Sequence, residues 1–155
     1  MNVYFSEILV KEINPNCKLI YNKIDKSKYQ LKLISVRCPF GPEEFNGKIY
    51  LNVELKKDIL DHQVILKDIK LIEQFLMKDT SKEKVSNIKN DTLLKLTVPQ
   101  INKKLISKIY KNQKEENIFE VKGKTCDIII DINSVWQFGD KTGVQFTVRT
   151  INILN

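Results

Sequence analysis

Tyrosine and lysine side chains share the polar face of two predicted strands. Tyr50 follows Lys48 by two residues, and Tyr110 is in phase with Lys104 and Lys108. Side chains two residues apart on a strand lie on the same side of the sheet. An aromatic ring can stack on an unpaired base there while the ammonium groups contact phosphates. The alternative is a tyrosine that covers the edge of the core and keeps its hydroxyl in water.

The sequence is basic, with 26 lysine and arginine residues against 19 acidic residues and a net charge of +7. Such a charge favours polyanionic partners. The arginines are Arg37 and Arg149, and each could bind a phosphate through two N–H groups or form a surface ion pair. The predicted nucleic-acid-binding residues are Lys32, Arg37, Lys48, Tyr50, Lys104, Lys108, Tyr110, Lys141 and Arg149.

Residues that could catalyse a reaction or bind a metal are dispersed. His62, the one histidine, has no nucleophile beside it, and its place near a helix start predicts a solvent-facing or capping side chain. The three cysteines lie far apart and form no Cys-x-x-Cys motif, which argues against a zinc site. Asp127 and Asp131 could pair on one strand face, but a cation site usually gathers more oxygen ligands. The sequence therefore predicts a binding protein without enzymatic activity, metal or cofactor.

Most of the chain alternates between apolar and polar residues, as strands do. The clearest example is 48–56, in which Ile49, Leu51, Val53 and Leu55 face one side. Turn sequences rich in Pro, Gly, Asn and Asp separate the segments. Strands are predicted at 17–24, 29–37, 48–56, 92–98, 104–111, 117–122, 125–136 and 143–154.

One segment has helical spacing instead. A helix is predicted over about 61–77, with Asp58 or Asp61 as N-cap and Glu73 on the polar face. Its apolar stripe consists of Ile65, Ile69, Ile72 and Leu76. The polar segment that follows, about 79–91, has no period and is predicted to be a mobile connector.

The order of elements predicts a mainly β fold with one helix (α+β). With 155 residues, the chain is predicted to form a single domain over 1–155. Strands, one helix and further strands favour an OB-fold-like, partly closed antiparallel barrel, and an antiparallel sandwich is the alternative. Trp136 is in phase with the apolar residues of strand 125–136, so a core position is expected unless a bulge turns it outward. Phe146 is expected in the core for the same reason.

Three segments resemble a known family when they are taken in order. They are the sequence CPFGPEEFNGKIYL at 38–51, LKLTVP at 94–99 with a strand ending KIYKN at 108–112, and IIIDINSVW at 128–136 followed by GVQFTV at 143–148. Together they are similar to the OB-fold single-stranded-DNA-binding proteins of large nucleocytoplasmic DNA viruses, which are distant relatives of the phage T7-type replication protein. The resemblance extends over most of the chain from about residue 17.

This resemblance implies a barrel whose outer face and loops hold single-stranded DNA during viral DNA replication, repair or recombination. It implies an intracellular location, in the cytoplasm or nucleus of an infected host cell. The turn at 39–41 and the hairpin at 136–143 correspond to landmarks of the fold. T7-type proteins end in an acidic tail that recruits replication proteins, whereas this sequence ends in INILN, so recruitment through a tail is not expected.

Several alternatives stay open at the level of sequence. RNA is the alternative ligand, and a homo-oligomer and contacts with replication proteins are both compatible with the sequence, whereas no membrane association is expected. A different class of function is a minor capsid or scaffold protein of the virion, which would use the same β domain for protein contacts. That function would predict assembly that is insensitive to salt and exposed apolar patches.

Overall fold

The computed structural model describes residues 7–154, in which strands predominate and one α-helix occurs. The helix α1 spans Leu60–Leu76, and a short 3₁₀ helix spans Ile118–Val121. The strands are β1 (Ile8–Asn14), β2 (Cys17–Asn22), β3 (Tyr29–Cys38), β4 (Pro42–Phe45), β5 (Lys48–Glu54), β6 (Glu83–Val85), β7 (Ile88–Lys89), β8 (Leu93–Val98), β9 (Gln100–Ile101), β10 (Lys104–Leu105), β11 (Lys108–Lys111), β12 (Lys114–Glu115), β13 (Lys124–Phe138) and β14 (Lys141–Ile153). The predicted domain limits, residues 1 and 155, lie outside the described residues.

Five strands close into a barrel in the order β3-β5-β8-β14-β13 and back to β3. Two contacts in this ring are narrow. β8 and β14 are parallel and paired in register only at Thr97 and Thr147, and β3 and β5 only at Arg37 and Glu54. The interior is filled by aliphatic side chains and by Phe146, whose predicted core position is confirmed. The order corresponds to the five-stranded OB barrel, so the predicted partly closed barrel is confirmed.

The ends of β13 and β14 extend past the barrel and carry further strands. Residues 134–136 of β13 pair with β2, which pairs with β1, and residues 141–143 of β14 pair with β6. We call this five-stranded extension the arm. One face of the arm lies against the segment 75–80 at the end of α1, with a cavity of about 290 Å³ between them. The opposite face points away from this segment.

The helix begins without the predicted aspartate cap. Its N-cap is Ile59, and no side chain accepts a hydrogen bond there. The side chain of His62 is buried, so the predicted solvent-facing position is wrong. The amide of Lys56 donates to Nδ1 (3.0 Å), and Nε2 lies 3.2 Å from the carbonyl oxygen of Ile34 and 3.1 Å from that of Ser35. Because carbonyl oxygens only accept, Nε2 carries the proton and His62 ties the helix to β3.

The segment 79–91, predicted to be a mobile connector without a period, has secondary structure, and its mobility stays a prediction. It contains β6 and β7, which pair with β14 and β8. Glu73 of the helix is buried rather than on the polar face, and its carboxylate accepts hydrogen bonds from Ser86 Oγ (2.6 Å), the Asn87 amide (2.8 Å) and Asn87 Nδ2 (3.0 Å). A buried carboxylate requires such partners, and they hold the polar segment in place.

Two predicted strands differ from the structure. The segment 104–111 divides into β10 and β11 at Ile106 and Ser107, and the hydroxyl of Ser107 donates to the carbonyl oxygen of Val148 (2.6 Å). The segment 117–122 forms the 3₁₀ helix, because the side chain of Asn117 caps it by accepting from the amide of Phe119 (2.9 Å). The sequence also left β1, β4, β9 and β12 unpredicted.

Candidate nucleic-acid interface

Tyr50 and Lys95 form the centre of the outer face of β5 and β8. Tyr50 pairs with Thr97 and Asn52 with Lys95 in the antiparallel register. The ammonium group of Lys95 lies 4.1 Å from the centroid of the Tyr50 ring, a cation–π contact. Burial and then repulsion by Lys89 and Lys48 lower the pKa of Lys95. Positive charge is therefore concentrated around one aromatic ring.

Phe45 extends this surface at the tip of the β4–β5 hairpin. It pairs with Lys48, shares a face with Tyr50 and is 68% exposed. Asn46 and Gly47 both have positive φ (52° and 77°), as a tight two-residue hairpin turn requires. We call Phe45, Lys48, Tyr50 and Lys95 the barrel platform. Glu43 pairs with Tyr50 and places one negative charge at the border of the barrel platform.

A groove of about 490 Å³ lies beside the barrel platform. Lys48 and Thr97 line one side of it, and Gln145 and Arg149 of β14 line the other. It runs along the narrow contact between β8 and β14, where only one residue pair is in register. The groove therefore follows from the OB topology, in which these two strands close the barrel in parallel.

The groove contains a buried carboxylate and two cations. The guanidinium Nε of Arg149 lies 3.0 Å from Oδ1 and 3.2 Å from Oδ2 of Asp131. Lys28 donates to the carbonyl oxygen of Asn133 (3.4 Å), and its ammonium group lies 4.6 Å from the centroid of the Tyr21 ring. Burial lowers the pKa of Lys28, and the charge of Asp131 opposes that shift. Asp127 instead accepts from the amide of Ser35 (2.9 Å), so the two aspartates have separate roles.

The face of the arm that points away from the helix carries two more aromatic side chains. Trp136 is half-buried rather than in the core, because the register shifts between Ile132 and Ser134 and turns the following residues over. Its indole lies against Gly143, where an added Cβ would be 2.5 Å from Cζ2. Phe138 is on the same face and is 83% exposed. Lys141 pairs with Phe138 and supplies a positive charge there.

Five of the predicted binding residues lie away from the groove. Lys32 is exposed on β3 opposite Ile129, and Arg37 is exposed opposite Glu54. Lys104 belongs to the small β9–β10 hairpin, so it does not share a strand with Tyr110 as the sequence predicted.

Lys108 and Tyr110 share a face of β11, where the ammonium group of Lys108 is 3.3 Å from the carboxylate of Glu115. Tyr110 pairs with the same Glu115. Lys48 and Arg149 line the groove, Tyr50 adjoins it, and Lys141 lies on the arm.

Several residues of this surface were not among the predicted binding residues, namely Lys28, Phe45, Lys95, Trp136 and Phe138. An aromatic residue directly before a tight turn was a usable signal for Phe45, which precedes Asn-Gly, and for Phe138, which precedes Gly-Asp. The position of Trp136 depends on a bulge that the sequence pattern does not reveal. Within 7–154, no helix is long and apolar enough to cross a membrane, and no three His, Cys, Asp or Glu side chains are grouped as a metal site would need.

Comparison with solved structures shows the same fold in bacteriophage proteins. The single-stranded DNA-binding protein of bacteriophage Enc34, with a C-terminal truncation, aligns with a TM-score of 0.56 and 13% identity over 96% of this chain and 95% of its own. The Enc34 protein in complex with single-stranded DNA aligns with a TM-score of 0.53 and 12% identity over 96% of both chains. The bacteriophage T7 protein gp2.5, also a single-stranded DNA-binding protein, aligns with a TM-score of 0.54 and 9% identity over 82% of this chain and 86% of its own.

No protein-family model matches the chain, and a search of curated proteins gives no match. The likeness therefore establishes the fold, which this chain shares with phage single-stranded-DNA-binding proteins along nearly its whole length.

Proposed function

We propose that this protein binds single-stranded DNA without sequence preference and without catalysing a reaction. The observation that carries the proposal is the groove beside the barrel platform, which is lined by Lys28, Lys48 and Arg149. The barrel platform adds the exposed ring of Phe45, and the arm carries the exposed ring of Phe138. The site residues that we propose are Lys28, Lys48, Tyr50, Lys95 and Arg149 at the barrel, together with Phe45, Trp136, Phe138 and Lys141 around it.

The chemistry of this surface suits a single strand better than a duplex. Stacking of a base on an aromatic side chain contributes about 1–3 kcal/mol and needs an unpaired base face. In a duplex, the base faces are already stacked on one another, so Phe45, Tyr50 and Phe138 would have no partner. Lysine and arginine side chains between the rings would bind the phosphates that connect successive bases.

The fold comparison supports the same ligand, because the phage proteins with this fold are single-stranded DNA-binding proteins by name. We further propose a role in viral DNA replication, repair or recombination, in the cytoplasm or nucleus of an infected cell. The relationship to large nucleocytoplasmic DNA viruses rests on the sequence resemblance. RNA binding, homo-oligomers and contacts with replication proteins stay predictions.

Fluorescence anisotropy with a labelled oligo-dT tests the proposal. An oligonucleotide of about 30 residues exceeds the ~4–16 nucleotides that one OB fold covers. We expect tight binding that weakens steeply between about 50 and 200 mM salt, since phosphate contacts release counterions. A duplex of equal length should bind more weakly, and oligo-U of equal length tests RNA. No binding at low salt would refute the proposal and favour the virion-component function, with its salt-insensitive assembly.

A further inference from the structure

The carboxylate of Asp131 lies in a groove that we propose for a polyanion. Asp131 stands on β13 opposite Thr147 of β14, and both side chains line the groove. A lone negative charge at this place would repel a phosphate. The contacts of Asp131 indicate a different effect.

Asp131 binds only one edge of the Arg149 guanidinium. Nε of Arg149 lies 3.0 Å and 3.2 Å from the two carboxylate oxygens. Among residues 7–154, neither terminal amino group of Arg149 has a hydrogen-bond partner. The Asp131 side chain is 12% exposed and that of Arg149 is 47% exposed, so the carboxylate is covered while the guanidinium remains accessible.

The backbone directs Arg149 toward this pair. Ile129 pairs with Thr150 and Ile130 pairs with Val148, so Arg149 is the extra residue of a bulge in β14. Bulges redirect a side chain relative to the regular alternation of a strand. An arginine that is already held also loses less rotamer freedom when it binds a ligand.

Asp131 also acts on the second cation of the groove. Its charge opposes the effect of burial, which lowers the pKa of Lys28. The Lys28 ammonium group is fixed by the carbonyl oxygen of Asn133 and the Tyr21 ring. The carboxylate of Asp131 therefore binds Arg149 and favours the charged form of Lys28, and the net charge of the three groups is positive.

We propose that Asp131 is a positioning residue that strengthens single-stranded DNA binding by holding Nε of Arg149, so that its two amino groups face a backbone phosphate in the groove. The inference rests on the proposed function and identifies a phosphodiester as the ligand of Arg149. A planar guanidinium with two free amino groups matches the two oxygens of a phosphate.

The test measures oligo-dT affinity and its salt dependence in D131A, D131N, R149A and the double variant D131A/R149A. We expect D131A and R149A each to weaken binding roughly fivefold to tenfold, and the double variant to bind no more weakly than R149A. The slope of log affinity against log salt should fall by about 0.7 in each, the value for one lost contact with a single strand. Glu120→Gln is the matched control, because it removes an exposed carboxylate on the 3₁₀ helix that holds no arginine in the described structure, and it should leave binding unchanged.

Thermal unfolding shows whether the variants are folded. If D131A does not fold, D131N tests the charge at nearly constant size, and Arg149→Lys tests whether a positive charge without Nε suffices; we expect both to bind as weakly as R149A. Tighter binding by D131A or D131N with the salt slope retained would overturn the inference, and so would additive losses in the double variant. Failure of the unaltered protein to bind oligo-dT would instead refute the proposed function.

Discussion

The sequence Lys-Ile-Tyr occurs twice in this chain, and its two copies lie in different surroundings. At 48–50 it belongs to β5, where Tyr50 contacts Lys95 and Lys48 lines the groove. At 108–110 it belongs to β11, where Glu115 of the neighbouring strand pairs with Lys108 and lies opposite Tyr110. Each tyrosine has a glutamate opposite it, Glu43 of β4 in the first copy and Glu115 of β12 in the second. The copies differ because β8 adds Lys95 to the first, whereas in the second the glutamate forms an ion pair with the lysine of the motif itself. We therefore expect only the first copy to contribute to DNA binding.

The largest difference in oligo-dT affinity should be the one between variants that lack Tyr50 and variants that lack Tyr110. We expect Tyr50→Ala to weaken oligo-dT binding about tenfold or more, since one stacked base contributes about 1–3 kcal/mol and 1.4 kcal/mol is a factor of ten. Tyr110→Ala should change the affinity less than about twofold, within the effects of exposed substitutions away from a site. Anisotropy titration at one salt concentration gives both values. Equal losses in the two variants would show that the cross-strand partner does not decide the role.

A somewhat smaller difference in oligo-dT affinity is expected between alanine variants of two other exposed aromatic residues. Phe138 lies on the arm beside Trp136, and Phe119 lies on the 3₁₀ helix, away from the groove. They are 83% and 66% exposed, so neither should contribute much to stability. Phe138→Ala should weaken oligo-dT binding about fivefold, at the low end of a stacking contribution, whereas Phe119→Ala should not. If Phe138→Ala binds normally and its melting temperature is unchanged, the arm is not part of the interface.

The sequence predicted the barrel because its strands alternate cleanly and its one helix has a clear apolar stripe. Lys48 and Tyr50 were predicted from their shared strand face and Arg149 as one of the two arginines, and the structure places Lys48 and Arg149 in the groove. The errors have long-range causes. Glu73 is buried because Ser86 and Asn87 hold it, and Trp136 leaves the core because of a bulge in β13. Lys95 was missed because its contact with Tyr50 requires knowledge of which strands pair, and period-two alternation carries no such information.

Removing the charge of Glu115 should make the second copy of the motif more like the first in its affinity for DNA. In Glu115→Gln, the ammonium group of Lys108 loses its ion-pair partner and is available for phosphate. We expect a gain in oligo-dT affinity of about twofold at low salt that disappears at high salt, since exposed charges are screened. The matched control is Glu120→Gln on the 3₁₀ helix, which removes the same charge elsewhere. A gain in both variants would indicate a general effect of net charge.

The smallest effect should be a pH dependence of DNA affinity that arises beside the first copy of the motif and not beside the second. The pKa of Lys95 is lowered by burial and by Lys89 and Lys48, and a bound phosphate would raise it again because it favours the charged form. Between the pKa of the free protein and the higher pKa of the complex, binding takes up a proton, so affinity must fall as pH rises through that window. Titrations between about pH 7 and pH 10 should show this fall in the unaltered protein. Lys95→Gln should bind more weakly and lose its own part of this pH dependence, leaving the part that belongs to Lys28, whose pKa burial also lowers, whereas Lys108→Gln should keep both parts. A pH profile that is unchanged by Lys95→Gln would mean that the phosphate does not approach Lys95, and the path of the DNA would then lie along the groove without crossing the barrel platform.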